Sequence, residues 1–456
     1  MKKHLISTLT LLVVALSATA QMRTAYFMQG STFRTDMNPA LAPLRGYVNM
    51  PAIGGTGLNF NTNFLSLDNF IYPNPNGEGS VLFLNQAVKD DFLKRLPENN
   101  KLSFDTQFNI LGFGAYSRNV FWQVGLNLKL QSEAVIPKGF FSALTTLGQG
   151  RYDLSNLHAC INSYTEIFGG VSIPVSDYFR IGARVKGLIG IANIDMSVDE
   201  MYVNIDEEIV EARMRGNMKY NSAMSPKVAQ GTQVAIKDLF DFGSFNLKNG
   251  GGFGVDLGAE GSLLDDRLRI SAAITDLGFL CWGKKSTVKG DISGGFTYRG
   301  YDFNEKELDT EKEDIVINAG ATDKGFSTRL NTSFNVGVEY AFCEDRISVG
   351  ALSHTLFGHN ATLSELTLSA NFRPLSWLSA SVSHTFLCHN RLGVFGFALN
   401  LHPNGFNLFL GTDFIGLKVA KGTPIPVNMT SANLYMGLGF NFGKPHFHRG
   451  SRFYRG

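Results

Sequence analysis

The sequence predicts an all-β fold, a transmembrane antiparallel up-and-down β-barrel of about 14 strands with long extracellular loops. Three observations predict it: strands with one oily and one wet face, a length in those strands that matches a bilayer, and connections that alternate between short and long.

The first two are clearest from Asn119 to Gln131. Val120, Trp122, Val124, Leu126, Leu128 and Leu130 fall on one side of a pleat; Gln123, Gly125, Asn127, Lys129 and Gln131 fall on the other. A strand of about 13 residues at roughly 3.3 Å each runs about 43 Å, and a tilt near 45° leaves about 30 Å of vertical reach, the thickness of the hydrocarbon core. Soluble strands stop at about half that length. The preceding segment repeats the design, with Phe104, Thr106, Phe108 and Ile110 alternating with Ser103, Asp105, Gln107 and Asn109. Only Ser117, Arg118 and Asn119 separate the two, so they form a long hairpin.

Export is written at the N-terminus. Lys2 and Lys3 precede an apolar run from Leu11 to Leu16, and Ala18-Thr19-Ala20 supplies a cleavage site. Residues 1–20 are therefore expected to be a signal peptide and Gln21 the mature start; without a Cys there, a lipid anchor is disfavoured. No later stretch approaches the roughly 18 uninterrupted apolar residues of a membrane helix. A soluble array of β-sandwiches is the alternative, disfavoured by strand length.

Residues 21–45 are neither strand-like nor strongly helical and contain the turn signal Asn38-Pro39-Ala40; they are expected to form a periplasmic, plug-like segment at the barrel mouth. The barrel should occupy residues 46–443. Tyr47 to Met50 and Leu58 to Phe64 read as a first strand broken at Pro51 to Gly57. Short helices are expected over Ala87 to Leu96 and from Lys138. Leu157 to Ile173 and Phe179 to Ile191 are two long strands joined by the turn Pro174 to Asp177. Residues 199–249 and 283–328 are long polar excursions beyond the membrane. Between and after them, alternating strands pair across turns near 265, 345, 374 and 404. Those short turns should face the periplasm. A basic tail, 444–456, closes the chain.

The net charge of +2 gives no reason to expect a nucleic-acid partner. Cys160, Cys281, Cys343 and Cys388 are far apart with no C-x-x-C, which leaves isolated thiols or one disulfide.

Three stretches resemble a known family. Tyr26 to Leu41, YFMQGSTFRTDMNPAL, resembles a segment shared by long-chain fatty-acid-transporter-like barrels and an uncharacterised Bacteroidota outer-membrane family, of the type called domain of unknown function 5723. Phe179 to Asn193 and Gly251 to Trp282 are closer to the latter. The resemblance implies a barrel of the transporter type, allied to barrel subunits that accompany type IX secretion, and supplies no functional residue.

The lumen side carries the candidate chemistry. Arg180, Arg184 and Lys186 point inward, and Glu166 should lie opposite Arg184 or Lys186 across the turn, as a structural charge network or as a constriction selecting anionic solutes. Phe113, Phe121, Phe168 and Tyr435 are the inward aromatics a hydrophobic-ligand channel would use, or ordinary lumen packing. His354, His359, His384 and His389 crowd the outer rim, yet His354 and His384 have opposite parity and cannot share a metal. The glycines at 250, 251, 252 and 254 lack a following Lys-Ser/Thr, and the Ser-His neighbours at 353–354 and 383–384 point apart. The expectation is a passive transport or envelope-assembly component without catalysis or cofactor, in contact with outer-membrane lipid and possible periplasmic or secretion-system proteins.

Overall fold

Side chains that alternate along one strand acquire meaning only when the strand finds neighbours on both edges. In the computed structural model, described for residues 22–146, 148–206, 209–223, 233–235, 249–284, 287–302, 307–319, 325–358, 362–387, 390–415 and 431–446, they do so around a closed ring. Residues 1–21 (the expected signal peptide and Gln21), His359, Cys388, His389 and the tail past 446 lie outside the described residues.

The first stave is split into β1 (Gly46–Asn49) and β2 (Thr56–Thr62). Then come β3 (Asn99–Ser117), β4 (Val120–Pro137), β5 (Leu157–Pro174), β6 (Phe179–Ile205) and β7 (Val210–Ser222). They are followed by β8 (Gly250–Leu263), β9 (Leu268–Trp282), β10 (Thr287–Asp302), β11 (Glu307–Ala319), β12 (Phe326–Arg329) and β13 (Thr332–Phe342). The rest are β14 (Ile347–Phe357), β15 (Thr362–Leu375), β16 (Leu378–Leu387), β17 (Asn390–Leu401), β18 (Asn407–Ile415) and β19 (Ser431–Phe442).

Each stave pairs antiparallel with the next, β6 passing directly to β8, and β19 returns to β1 and β2. The result is a closed barrel of 14 staves, so no membrane-embedded edge is left unpaired.

Burial is inverted relative to a soluble protein. Trp122 is 55% exposed on the outside, with Val124, Phe253, Phe279, Val382 and Phe440 similarly bare, while Asn127, Glu166, Arg184 and Asp256 are buried inside. Covering one such apolar side chain is worth roughly 1.5–3 kcal/mol. A whole belt of them requires lipid.

Phe113 departs from the sequence reading. It is outside, 45% exposed and stacked on Phe442 at 5.8 Å, because Ile110 is an extra residue in β3: Asn109 faces Asn127 and Leu111 faces Leu126. That bulge reverses parity for the rest of the strand.

The two polar excursions also turn out to belong together. The outer half of β6 runs past the end of β8 and pairs with β7, β7 with β10, and β10 with β11, making one sheet that stands beyond the barrel. At the same end α2 (Leu67–Phe70), α3 (Lys89–Arg95) and α4 (Lys138–Thr146) enclose a small core of Phe64, Tyr72, Phe92 and Phe141.

Candidate functional site: the filled lumen and its polar cavities

Residues 22–44 lie inside the barrel, deeper than its mouth. A short 3-10 turn at Arg23–Ala25, the single turn of α1 (Arg34–Met37) and isolated turns such as Met28 N–H to the Ala25 carbonyl satisfy part of this segment's main chain, and the wall satisfies further polar groups. Asp413 accepts from the Arg23 and Thr24 backbone amides at 3.2 and 2.8 Å, and Arg23 ion-pairs with Glu365. Arg373 donates to the Phe27 carbonyl at 2.8 Å, Asn335 to the Met37 carbonyl at 2.9 Å, and Ser172 to the Ala40 carbonyl at 3.0 Å. Asn38 reaches the carbonyls of Ala259 and Ala272.

Lumen-facing glycines make room for this segment. A Cβ on Gly182 would sit 2.2 Å from the Pro39 carbonyl carbon, and one on Gly437 2.1 Å from the Phe33 ring. Any larger residue there would displace the segment.

Two ion-pair clusters tie the wall together. Toward the short-turn end, Arg269 bridges Glu339 and Asp345, both at 3.1 Å, and Arg373 bridges the same pair at 2.6 and 2.8 Å. Ser348 also donates to Glu339 at 2.5 Å. Higher up, Lys129 contacts Glu166 at 3.0 Å and Asp276 at 3.1 Å; Lys186 contacts Asp276 at 2.7 Å, Asp256 at 2.8 Å and Glu166 at 3.6 Å. Arg184 reaches Asp36 of α1 at 2.8 Å and lies over the Phe168 ring at 4.4 Å.

Asp276 owes its position to a bulge. Val255 faces Leu277 and Leu257 faces Ile274, so Thr275 and Asp276 share one partner, and Asp276 takes φ of 56° with its amide donating to Asp256 at 2.7 Å. Asp is one of the few residues that adopts this backbone region readily.

The sequence-derived residues are thus only partly gathered. Glu166, Arg184 and Lys186 share one cluster, but Glu166 faces Leu188 across the hairpin, not Arg184 or Lys186, because the turn reaches on to Tyr178, so that Pro174 faces Arg180 and the register runs unbroken from there to Glu166. Its nearest cation is Lys129. Arg180 stands apart near the turns and donates to Ser172 at 3.3 Å. Phe121 packs beside Tyr47 and Tyr116, and Tyr435 stacks on Phe409 at 5.4 Å while donating to Asp413. His354 faces the lumen, and His384 lies between Phe386 and Phe395. Cys160, Cys281 and Cys343 are free thiols.

Lys129, Asp256, Asp276 and Asp36 went unidentified. Parity of β4 already placed Lys129 inward, so that signal was present; the bulge at Asp276 has none in the sequence.

Open space remains on either side of the inserted segment. An outer cavity of about 120 Å³ is lined by Asp36, Asn59, Asp105, Glu133, Asp276 and His354 among others. A second, of about 270 Å³, lies near the short turns and includes Arg34, Arg180 and Glu260.

Residues 39–413 match a family of unknown function, DUF5723. The chain belongs to that family. No curated protein matches it. Among solved structures, this DUF5723 member is similar to the Pseudomonas putida toluene transporter TodX, at 10% identity over 93% of both chains with a TM-score of 0.36. It is also similar to a monoaromatic hydrocarbon channel variant of TodX, at 11% identity over 89% of this chain and 93% of that one with a TM-score of 0.39. A Rhodopseudomonas blastica porin variant matches at 10% identity over 87% of this chain and all of its own, with a TM-score of 0.21. At these scores the likenesses bear on neither site nor substrate; the barrel is established by the chain's own strand pairings.

Proposed function

We propose that this protein is an outer-membrane barrel that lets small polar solutes cross passively, closed at rest by residues 22–45 and open when that segment shifts. It carries out no catalysis. The observation that carries the reading is a polar lumen with water-sized space above and below an inserted segment whose main chain is tied to the wall by hydrogen bonds and ion pairs, beside one apolar cluster in which Phe27, Phe33 and Met37 meet Leu352, Phe409 and Tyr435. The polar contacts can be exchanged for water, so the apolar cluster is what a shift of the segment has to overcome.

A hydrophobic channel has less support. Phe121, Phe168 and Tyr435 are each engaged by neighbouring side chains and Phe113 faces lipid, so the four form no apolar path.

Planar-bilayer conductance tests the proposal. The full chain should be mostly silent, and a variant lacking residues 22–45 should conduct. A deletion variant that keeps the heat-dependent gel mobility of a folded barrel yet stays silent would overturn it and favour a scaffold for envelope assembly or secretion partners, to be sought by pull-down from solubilised membranes.

A further inference from the structure

The outer cavity is asymmetric in what it offers a solute. The three cations of the upper cluster border it but are nearly inaccessible: the side chains of Lys129, Arg184 and Lys186 are 8%, 1% and 2% exposed. Carboxylates are what reach the space. Asp36 and Asp276 are 28% and 21% exposed there, and Asp105 and Glu133 line the same cavity half-buried.

Two buried neutral groups add to this. Asn335 donates its amide N–H to the Met37 carbonyl, so its oxygen accepts from His354 Nδ1–H at 2.6 Å. His354 Nε2 is thereby left as an acceptor; it is buried without a partner among the described residues, and its ring lines the cavity. Asn59 Oδ1, also buried and lining the cavity, has no donor among the described residues either. An unmatched buried acceptor is costly, and a donor from a bound molecule would recover that cost.

We infer that this cavity binds a small organic cation rich in N–H donors, such as an alkyl diamine, with Asp36, Asp105, Glu133 and Asp276 receiving its charge and Asn59 and His354 its remaining donors. The inference deepens the transport reading by naming the solute class, and it reverses the anion preference that inward Arg184 and Lys186 suggest from sequence. A low-dielectric wall with accessible charge of one sign concentrates counter-ions at its mouth.

Three four-carbon probes isolate the charge: putrescine, 1,4-butanediol and succinate, titrated calorimetrically into the full-length protein in detergent. Putrescine should bind and the other two should not. The double variant Asp105→Asn, Glu133→Gln, whose side chains take no part in the ion pairs described above, should weaken putrescine by about tenfold or more while the barrel keeps its folded gel mobility. His354→Phe, which removes only a neutral acceptor, should weaken it by about threefold. Equal binding of succinate, or an unchanged affinity in the double variant, would overturn the inference. Putrescine binding without conductance in the deletion variant would instead sink the transport reading and leave the site standing.

Discussion

The two ion-pair clusters of the lumen differ in how their charges are balanced. The lower one sets Arg269 and Arg373 against Glu339 and Asp345, all four nearly inaccessible, and it is neutral and closed. The upper one sets Lys129, Arg184 and Lys186 against Glu166, Asp256, Asp276 and Asp36, and two of its carboxylates meet open space. A neutral, sealed cluster can only hold things in place. A cluster with surplus accessible charge can also attract a solute.

The sharpest way to break this contrast is Arg373→Met. It strips Glu339 and Asp345 of a shared partner and the Phe27 carbonyl of its donor, so the unfolding midpoint should drop by the equivalent of about 3–5 kcal/mol in a urea titration followed by gel mobility. A smaller loss than for Asp36→Asn would contradict the division of labour.

Next comes Gly182→Val. The wall would survive but Pro39 must move, at roughly 1–3 kcal/mol, and single-channel recordings should show openings absent from the parent. Silence in a folded variant would mean that the inserted segment is not the closure.

Asp36→Asn should cost only about 1 kcal/mol, since Arg184 keeps Asp256 at 3.7 Å and the lost partner is partly exposed. Its signature is a raised opening frequency with little change in stability.

The smallest effect belongs to the outer sheet. Asp195 lies past Ile189, near the end of the β6–β8 pairing, and contacts from His158 and Lys219, both at 3.2 Å, hold its carboxyl down to about 2 from an ordinary 3.8. A depressed folded pKa stabilises above about pH 4 and is lost as pH falls toward 2. Amide exchange in β6 and β7 should therefore quicken over that window, and Asp195→Asn should flatten the response while the barrel amides stay unchanged.

Much of the wall was legible because it is local. Trp122 faces out and Lys129 faces in by counting alternate residues, and turns such as that after Pro174 declare themselves by composition. Counting fails wherever a bulge intervenes, and Phe113 is the instructive case: one unpaired residue at Ile110 moved it from lumen to lipid. The joining of the two polar excursions was hidden for another reason. Pairing of β7 with β10 joins segments far apart in the chain, and the packing of Met218 and Tyr220 on Val288 and Ile292 arises only once they meet.

The sequence by itself determined which faces meet lipid wherever a strand runs without a bulge, since that choice rests on alternation within each strand and on strands long enough to span. Only the tertiary structure decided what fills the lumen and which charges remain accessible. Those outcomes join residues as distant as Thr24 and Asp413, or Asp36 and Arg184, and such encounters exist only once the ring has closed around them.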